Sequence, residues 1–220
     1  MLVLSHRGCH VDVPENTLEA FDQAIAMGVD GIETDVRLSA DGLPILFHDR
    51  VAPDGRQVAT ISRDGLSQLV GYSVPTLEEA LQRRNEVLWN IEIKTPFASD
   101  AVLALLSVSC QSIRCLITSF WHNVVEQFSR LEVQCGIIIA HRPASAQHLL
   151  RLLPDDGRTR TIVWSYDALD ATLVQQAASQ GLSNFVYALE TKNEHMRCSQ
   201  MPFDGVITDH PEFLIKGGRK

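Results

Sequence analysis

The 220-residue sequence predicts an α/β protein folded as a (β/α)₈ TIM barrel with a β-hairpin arm after its second strand. Three observations carry this. Short β-branched runs alternate strictly with helical stretches, the pattern of a parallel sheet with helices outside. Leaving the hairpin arm aside, eight strand segments each precede a helical one, and eight such units in about 200–250 residues make a closed barrel. The polar residues gather at the C-terminal ends of those strands, where barrels carry their functional groups: His6 and Arg7, Glu33 and Asp35, Glu92 and Lys94, Ser119, His141, Ser165, Glu190 and Asp209. An open doubly wound sheet is the rival, and this asymmetry favours the barrel.

LVLSH (2–6) reads as the first strand. A helix follows from Thr17 to Met27, with Asn16 three before Glu19 as its capping-box start and Gly28 as its stop. GIETDVRL (31–38) is the second strand. Asp41-Gly42 reads as a two-residue hairpin turn into PILFHD (44–49). Residues 50–75 read as a short loop insertion punctuated by Gly55, Gly65 and Gly71, either a lid or a plain connector. Thr76 and Glu79 cap the next helix, and VLWNIEIK (87–94) is the third main strand. A helix over 100–111 and the strand CLITSF (115–120) follow. Three more units run through the strands 133–140, 159–166 and 184–190, with helices at 123–131, 146–153, 168–181 and near 193–200. DGVITD (204–209) is the last strand, and PEFLIK a terminal helical turn. Residues 1–220 thus read as one domain.

The composition is that of an ordinary globular protein, 45% apolar and 21% charged. No apolar run reaches the roughly 18 residues that span a bilayer, so no stable membrane insertion is expected. MLVLSHRG has no basic region followed by a long apolar stretch, so no signal peptide is expected either. Five cysteines (Cys9, Cys110, Cys115, Cys135, Cys198) without CxxC spacing fit reduced thiols in a cytoplasm. The net charge of −8 argues against nucleic acid as a partner. Monomer and homodimer both remain open.

Residues two apart on a strand share a face, so Glu33 and Asp35 point together, as do Glu92 and Lys94. A two-residue turn at 41–42 sets position 35 across from position 48 and places His48 beside Asp35. His6 ends the adjacent first strand. Each piece alone has a plainer reading: Glu92 with Lys94 as an internal ion pair, Glu33 with Asp35 as a solvated edge, His48 as a surface histidine. Together they put Glu33, Asp35, Glu92, His6, His48, Arg7 and Lys94 at one mouth. Three close carboxylates repel one another unless a cation sits among them, and oxygen ligands suit Mg²⁺ or Ca²⁺. Two histidines serve as general acid and base, and Arg7 and Lys94 hold an anion. Hydrolysis or transfer at a phosphate follows.

The motifs His6-Arg7-Gly8, Pro14-Glu15-Asn16-Thr17, Glu33-x-Asp35, His48-Asp49, Glu92-x-Lys94, Ser119-Phe120 and Gly205-Val206-Ile207-Thr208-Asp209 with Pro211 resemble, in order, the glycerophosphodiester phosphodiesterase family. The resemblance covers about residues 4–214. It implies a (β/α)₈ barrel that hydrolyses glycerophosphodiesters to glycerol 3-phosphate and an alcohol with Mg²⁺ or Ca²⁺. It implies Glu33, Asp35 and Glu92 as metal ligands, His6 and His48 as the acid–base pair, and Arg7 and Lys94 as phosphate contacts. It also implies attack by the neighbouring glycerol hydroxyl, then opening of the cyclic phosphate by water. Two departures bear on substrate choice. The 50–75 segment is short for the family, and Leu189 stands where an aromatic is expected to pack on glycerol. The alternatives are a phospholipase D-like or cyclising lyase acting on lysophospholipids, against which no apolar docking loop is evident, and a non-catalytic phosphodiester-binding barrel. His141-Arg142 and Trp121-His122 also fall at the mouth, whereas His10, His148, His195 and His210 read as surface or structural residues.

Overall fold

The computed structural model describes residues 1–83, 86–109, 113–131 and 133–215. Cys110, the end of the helix expected to reach 111, and Lys216 lie outside the described residues. Nine strands form one sheet: β1 (Leu2–His6), β2 (Gly31–Leu38), β3 (Pro44–Leu46), β4 (Leu88–Ile93), β5 (Cys115–Ser119), β6 (Gln134–Ile139), β7 (Thr159–Ser165), β8 (Ser183–Tyr187) and β9 (Gly205–Thr208). Eight run parallel in the order β1-β9-β8-β7-β6-β5-β4-β2, and pairing of β1 with β2 closes them into a barrel. β3 is the antiparallel arm on β2. The helices are α1 (Leu18–Met27), α2 (Arg63–Val70), α3 (Leu77–Arg83), α4 (Ser99–Ser109), α5 (His122–Phe128), α6 (Ala146–Leu152), α7 (Ala171–Ser179) and α8 (Lys192–Cys198).

Alternation along each strand splits the apolar residues into two layers. Leu4, Leu88, Leu116, Ile138, Val163 and Phe185, from six different strands, fill the barrel interior. Ile32, Trp89 and Ile91 face outward into the larger core beneath the helices, where Phe21 of α1 meets Trp89 edge-on at 5.2 Å. The interior is filled by opposing large and small residues. A Cβ on Gly205 would lie 2.2 Å from the Phe185 ring, and one on Gly31 would lie 2.5 Å from the Leu88 carbonyl. Gly31 opens the inward row of β2, which continues as Glu33 and Asp35. The polar residues therefore lie above an apolar plug.

Three expectations need correction. The hairpin register is one residue away from that expected: Val36 faces Leu46 and Leu38 faces Pro44, so Asp35 lies across from Phe47, not His48. The cause is the turn. Gly42 donates to the Ser39 carbonyl at 3.0 Å and takes φ 79°, so Ala40-Asp41-Gly42 is a three-residue loop with glycine in the left-handed position. The arm also ends at Leu46, so His48 sits on the loop beyond it. Second, Asn16 does not cap α1. Thr17 does, accepting from the Ala20 amide at 3.2 Å. Third, residues 50–75 are not an irregular loop. They hold a 3₁₀ turn at Val58–Thr60 and α2, capped by Ser62 and stopped by Gly71. Val58, Ile61, Leu66 and Val74 close over Ile45 of the arm and Phe47 just beyond it as a separate apolar cluster. The Thr76–Glu79 capping box forms as expected, with reciprocal bonds of 2.9 and 3.1 Å.

Candidate active site

A cavity of about 360 Å³ opens at the C-terminal mouth of the barrel. His6, Arg7, Glu33, His48, Glu92 and Lys94 all line it. Asp35 is fully buried directly behind them, 3.0 Å from Arg7 Nε and 3.3 Å from Lys94 Nζ. The structure thus brings all seven expected residues together. Strand register does most of this work: His6 pairs with Glu33 across β1–β2, and Asp35 pairs with Glu92 across β2–β4. His48 arrives from the loop after the arm, which Arg37 holds by donating to the His48 carbonyl at 2.8 Å.

Oxygens of Glu33, Asp35 and Glu92 lie within 4.8 Å of one another. Burial, then the charges of Asp35 and Glu92, push the Glu33 carboxyl well above the ordinary range. Burial also raises Glu92, with Asp35 adding to it against Lys94. Asp35 goes the other way: burial alone would raise it, but Lys94, Arg7 and the Asn16 amide together hold it low. Glu33 Oε1 is buried without a hydrogen-bond donor, and Asp35 Oδ1 has only the Lys94 ammonium, 3.3 Å away. Buried carboxylate oxygens short of donors beside a third carboxylate are the surroundings a hard cation satisfies, so the residues present fit a divalent ion.

The cations are already partnered. Lys94 Nζ lies 2.8 Å from Glu92 Oε1, and the arginine Nη1 donates to both oxygens of Glu15 at 3.0 and 2.9 Å. Arg7 itself adopts φ 57°, which turns the chain sharply after β1. His6 Nδ1 lies 2.7 Å from Asp209 Oδ1, and His10 Nε2 lies 3.0 Å from the same oxygen. Burial would raise Asp209, but its bonds and attraction to His6 and His10 outweigh this and hold it far below the usual carboxylate range. His48 Nδ1 lies 2.9 Å from Asp49.

The sequence reading missed several of these partners. Asn16, taken as a cap, instead has φ 56° and is buried with its Nδ2 donating to Asp35 Oδ2 at 2.9 Å. Its Oδ1 accepts from the Thr34 hydroxyl at 2.7 Å and from the Asp35 amide at 3.2 Å. His10, read as a surface or structural residue, is structural and buttresses Asp209. Asn90 lines the cavity floor, and its spacing to Glu92 and Lys94 on one inward face was the available signal. His141, Arg142, Trp121 and His122 do not line the cavity. Arg142 pairs with Asp170 at 2.7 Å, and the His122 ring bonds the Ile138 carbonyl at 2.9 Å. Leu189 does line it, adding an apolar wall after Ala188, whose φ is 62°.

The model of the glycerophosphoryl diester phosphodiesterase family matches residues 6–213, a span that contains every one of these groups. The chain belongs to that family. It is an enzyme, a phosphoric diester hydrolase. A glycerophosphodiester phosphodiesterase of Caldanaerobacter subterraneus is 29% identical over 248 residues, covering 100% of this chain and 98% of that protein. A crystal structure of a glycerophosphodiester phosphodiesterase from Thermotoga maritima superposes with a TM-score of 0.84 at 28% identity, covering 98% of this chain and 97% of the other. An Oleispira antarctica phosphodiesterase in complex with the product sn-glycerol-3-phosphate shares the fold, with a TM-score of 0.80 at 22% identity and coverage of 96% and 94%. None of the described helices is long and apolar enough to cross a membrane.

Proposed function

We propose that this family member hydrolyses glycerophosphodiesters to glycerol 3-phosphate and an alcohol, with a divalent cation at Glu33, Asp35 and Glu92 and with His6 and His48 as the acid–base pair. The observation that carries this is the meeting of three buried carboxylates, two imidazoles and two cationic side chains in one cavity. Oxygen-only ligands favour Mg²⁺ or Ca²⁺. Bound there, the ion supplies positive charge against the phosphoryl oxygens.

Each imidazole has Nδ1 against a carboxylate, Asp209 for His6 and Asp49 for His48, so each presents Nε2 to the cavity. One Nε2 takes the proton of the glycerol hydroxyl beside the phosphate as that oxygen attacks phosphorus. The other gives a proton to the departing alcohol oxygen as the P–O bond breaks. Water then opens the cyclic phosphate with the two roles exchanged. Arg7 and Lys94, anchored by Glu15 and Glu92, offer charge-assisted contacts to the phosphate. Free thiols at Cys9, Cys135 and Cys198 support a reducing compartment for the protein.

One observation favours a second substrate. Phe120, 43% exposed just after β5, lines the cavity beside Tyr187. The sequence reading found no apolar docking loop, yet an aromatic there offers apolar area to the acyl chain of a lysophospholipid. The experiment is release of glycerol 3-phosphate from glycerophosphocholine and glycerophosphoethanolamine, and of lysophosphatidic acid from lysophosphatidylcholine. It is run with Mg²⁺, Ca²⁺ or EDTA, beside His48→Ala. Metal-dependent release that the variant loses is expected. Release that EDTA leaves intact would remove the metal from the mechanism, and no release from any substrate would overturn the assignment.

A further inference from the structure

The cavity floor holds a donor that the proposed chemistry does not use. Asn90 is 1% exposed, and its Nδ2 has no partner. Its Oδ1 accepts from the Thr118 hydroxyl at 2.8 Å, which turns the nitrogen away from Thr118. A flipped amide would put an oxygen among the carboxylates instead, acceptor against acceptor. A buried amide without a partner is costly, and native proteins keep one where a ligand or water completes it. Asn90 pairs in register with Glu33, and Glu33 with His6, so the three stand in one row of the barrel wall. Glu33 Oε1 in that row lacks a donor, just as Asn90 Nδ2 lacks an acceptor.

Glu33 Oε1 is completed by the proposed cation, so the vacancy left for substrate is the Asn90 donor, which takes an acceptor oxygen. A substrate hydroxyl supplies one. Phosphate has its own cations in Arg7 and Lys94. The variable alcohol must leave through the mouth, so the part common to all substrates is the part that goes deep. We propose that Asn90 is a specificity-determining residue that binds a hydroxyl of the substrate's glycerol moiety, oriented by Thr118. This rests on the glycerophosphodiester reading above.

The test is calorimetric titration of the Ca²⁺-loaded protein with glycerol 3-phosphate, with 1-propyl phosphate, which lacks both hydroxyls, and with inorganic phosphate. Wild type is expected to prefer glycerol 3-phosphate to propyl phosphate by about tenfold to a hundredfold. In Asn90→Leu that preference falls to about unity while affinity for inorganic phosphate stays within about twofold. Thr118→Val keeps the amide but frees its orientation, and it lowers the preference at least about threefold. That variant decides the matter if Asn90→Leu does not fold. A preference that survives these substitutions means the amide holds only a water and overturns the inference, as does an equal loss for all three ligands. Wild type that binds phosphate without preferring glycerol 3-phosphate also overturns it, while leaving phosphodiester hydrolysis standing. Wild type that binds none of the three overturns both.

Discussion

Asn16 shows how much a single side chain can settle. It accepts the left-handed backbone that asparagine tolerates better than most residues. In exchange, its amide joins Asp35 to Thr34 through three hydrogen bonds. Asn16→Ala leaves a buried carboxylate and hydroxyl short of partners, so a loss of about 1–3 kcal/mol in denaturant melts is expected. Asn16→Gly relieves the backbone but restores no bond, and it should recover only a fraction of that loss. Asp209 makes a prediction in pH. Its folded pKa is depressed, so the stability it adds is complete above the ordinary aspartate value of about 4 and is lost as pH falls below it. Asp209→Asn should flatten the decline of Tm on acidification in that window. An unchanged slope would mean the Asp209–imidazole contacts do not persist in solution. From sequence, Glu33, Asp35, Glu92 and Lys94 were legible because strand alternation alone fixes their common face. Asn16 was not, because its cap-like spacing to Glu19 is local, whereas its bonds to Thr34 and Asp35 are tertiary.

At the level of elements, the arm and the excursion behind it set the position of His48. Most strands were readable to within a residue because their inward and outward positions alternate cleanly, but the arm and β8 each end three residues before the expected 49 and 190. The hairpin register was misread because Asp41-Gly42 fits a two-residue turn as well as the last two residues of a three-residue loop. α2 carried its own signals, Ser62 before it and Gly71 after it, but the glycines around them read as loop. Leu66 of α2 is fully buried over Phe47, next to His48 in sequence. Leu66→Ala is expected to cost about 2–5 kcal/mol and to lower turnover as the loop bearing His48 loses its support. Normal turnover at full occupancy of the folded state would show that His48 is held without the excursion.

For the whole molecule, the barrel interior divides into an apolar plug and a charged mouth, and the plug depends on glycine. Gly205 faces the Phe185 ring at a distance no Cβ can share. Gly205→Ala is therefore expected to destabilise the protein by about 1–3 kcal/mol, and Phe185→Leu in the same chain should recover part of it. An additive loss in the double variant would show that the two do not compete for space. The overall barrel was legible because eight repeats of one pattern are redundant, and a boundary missed in one unit leaves the count intact.

His6 and Asp209 meet across 203 positions of chain, and β1 pairs with β9 as well as with β2. The seam thus joins the barrel strand made earliest, β1, to the one made latest, β9. A nascent chain can carry all three carboxylates and both imidazoles long before His6 has its carboxylate. The proposed acid–base pair becomes complete only when synthesis has delivered β9 and Asp209 behind it, so onset of activity in a refolding or translation time course would mark the moment at which the ring shuts.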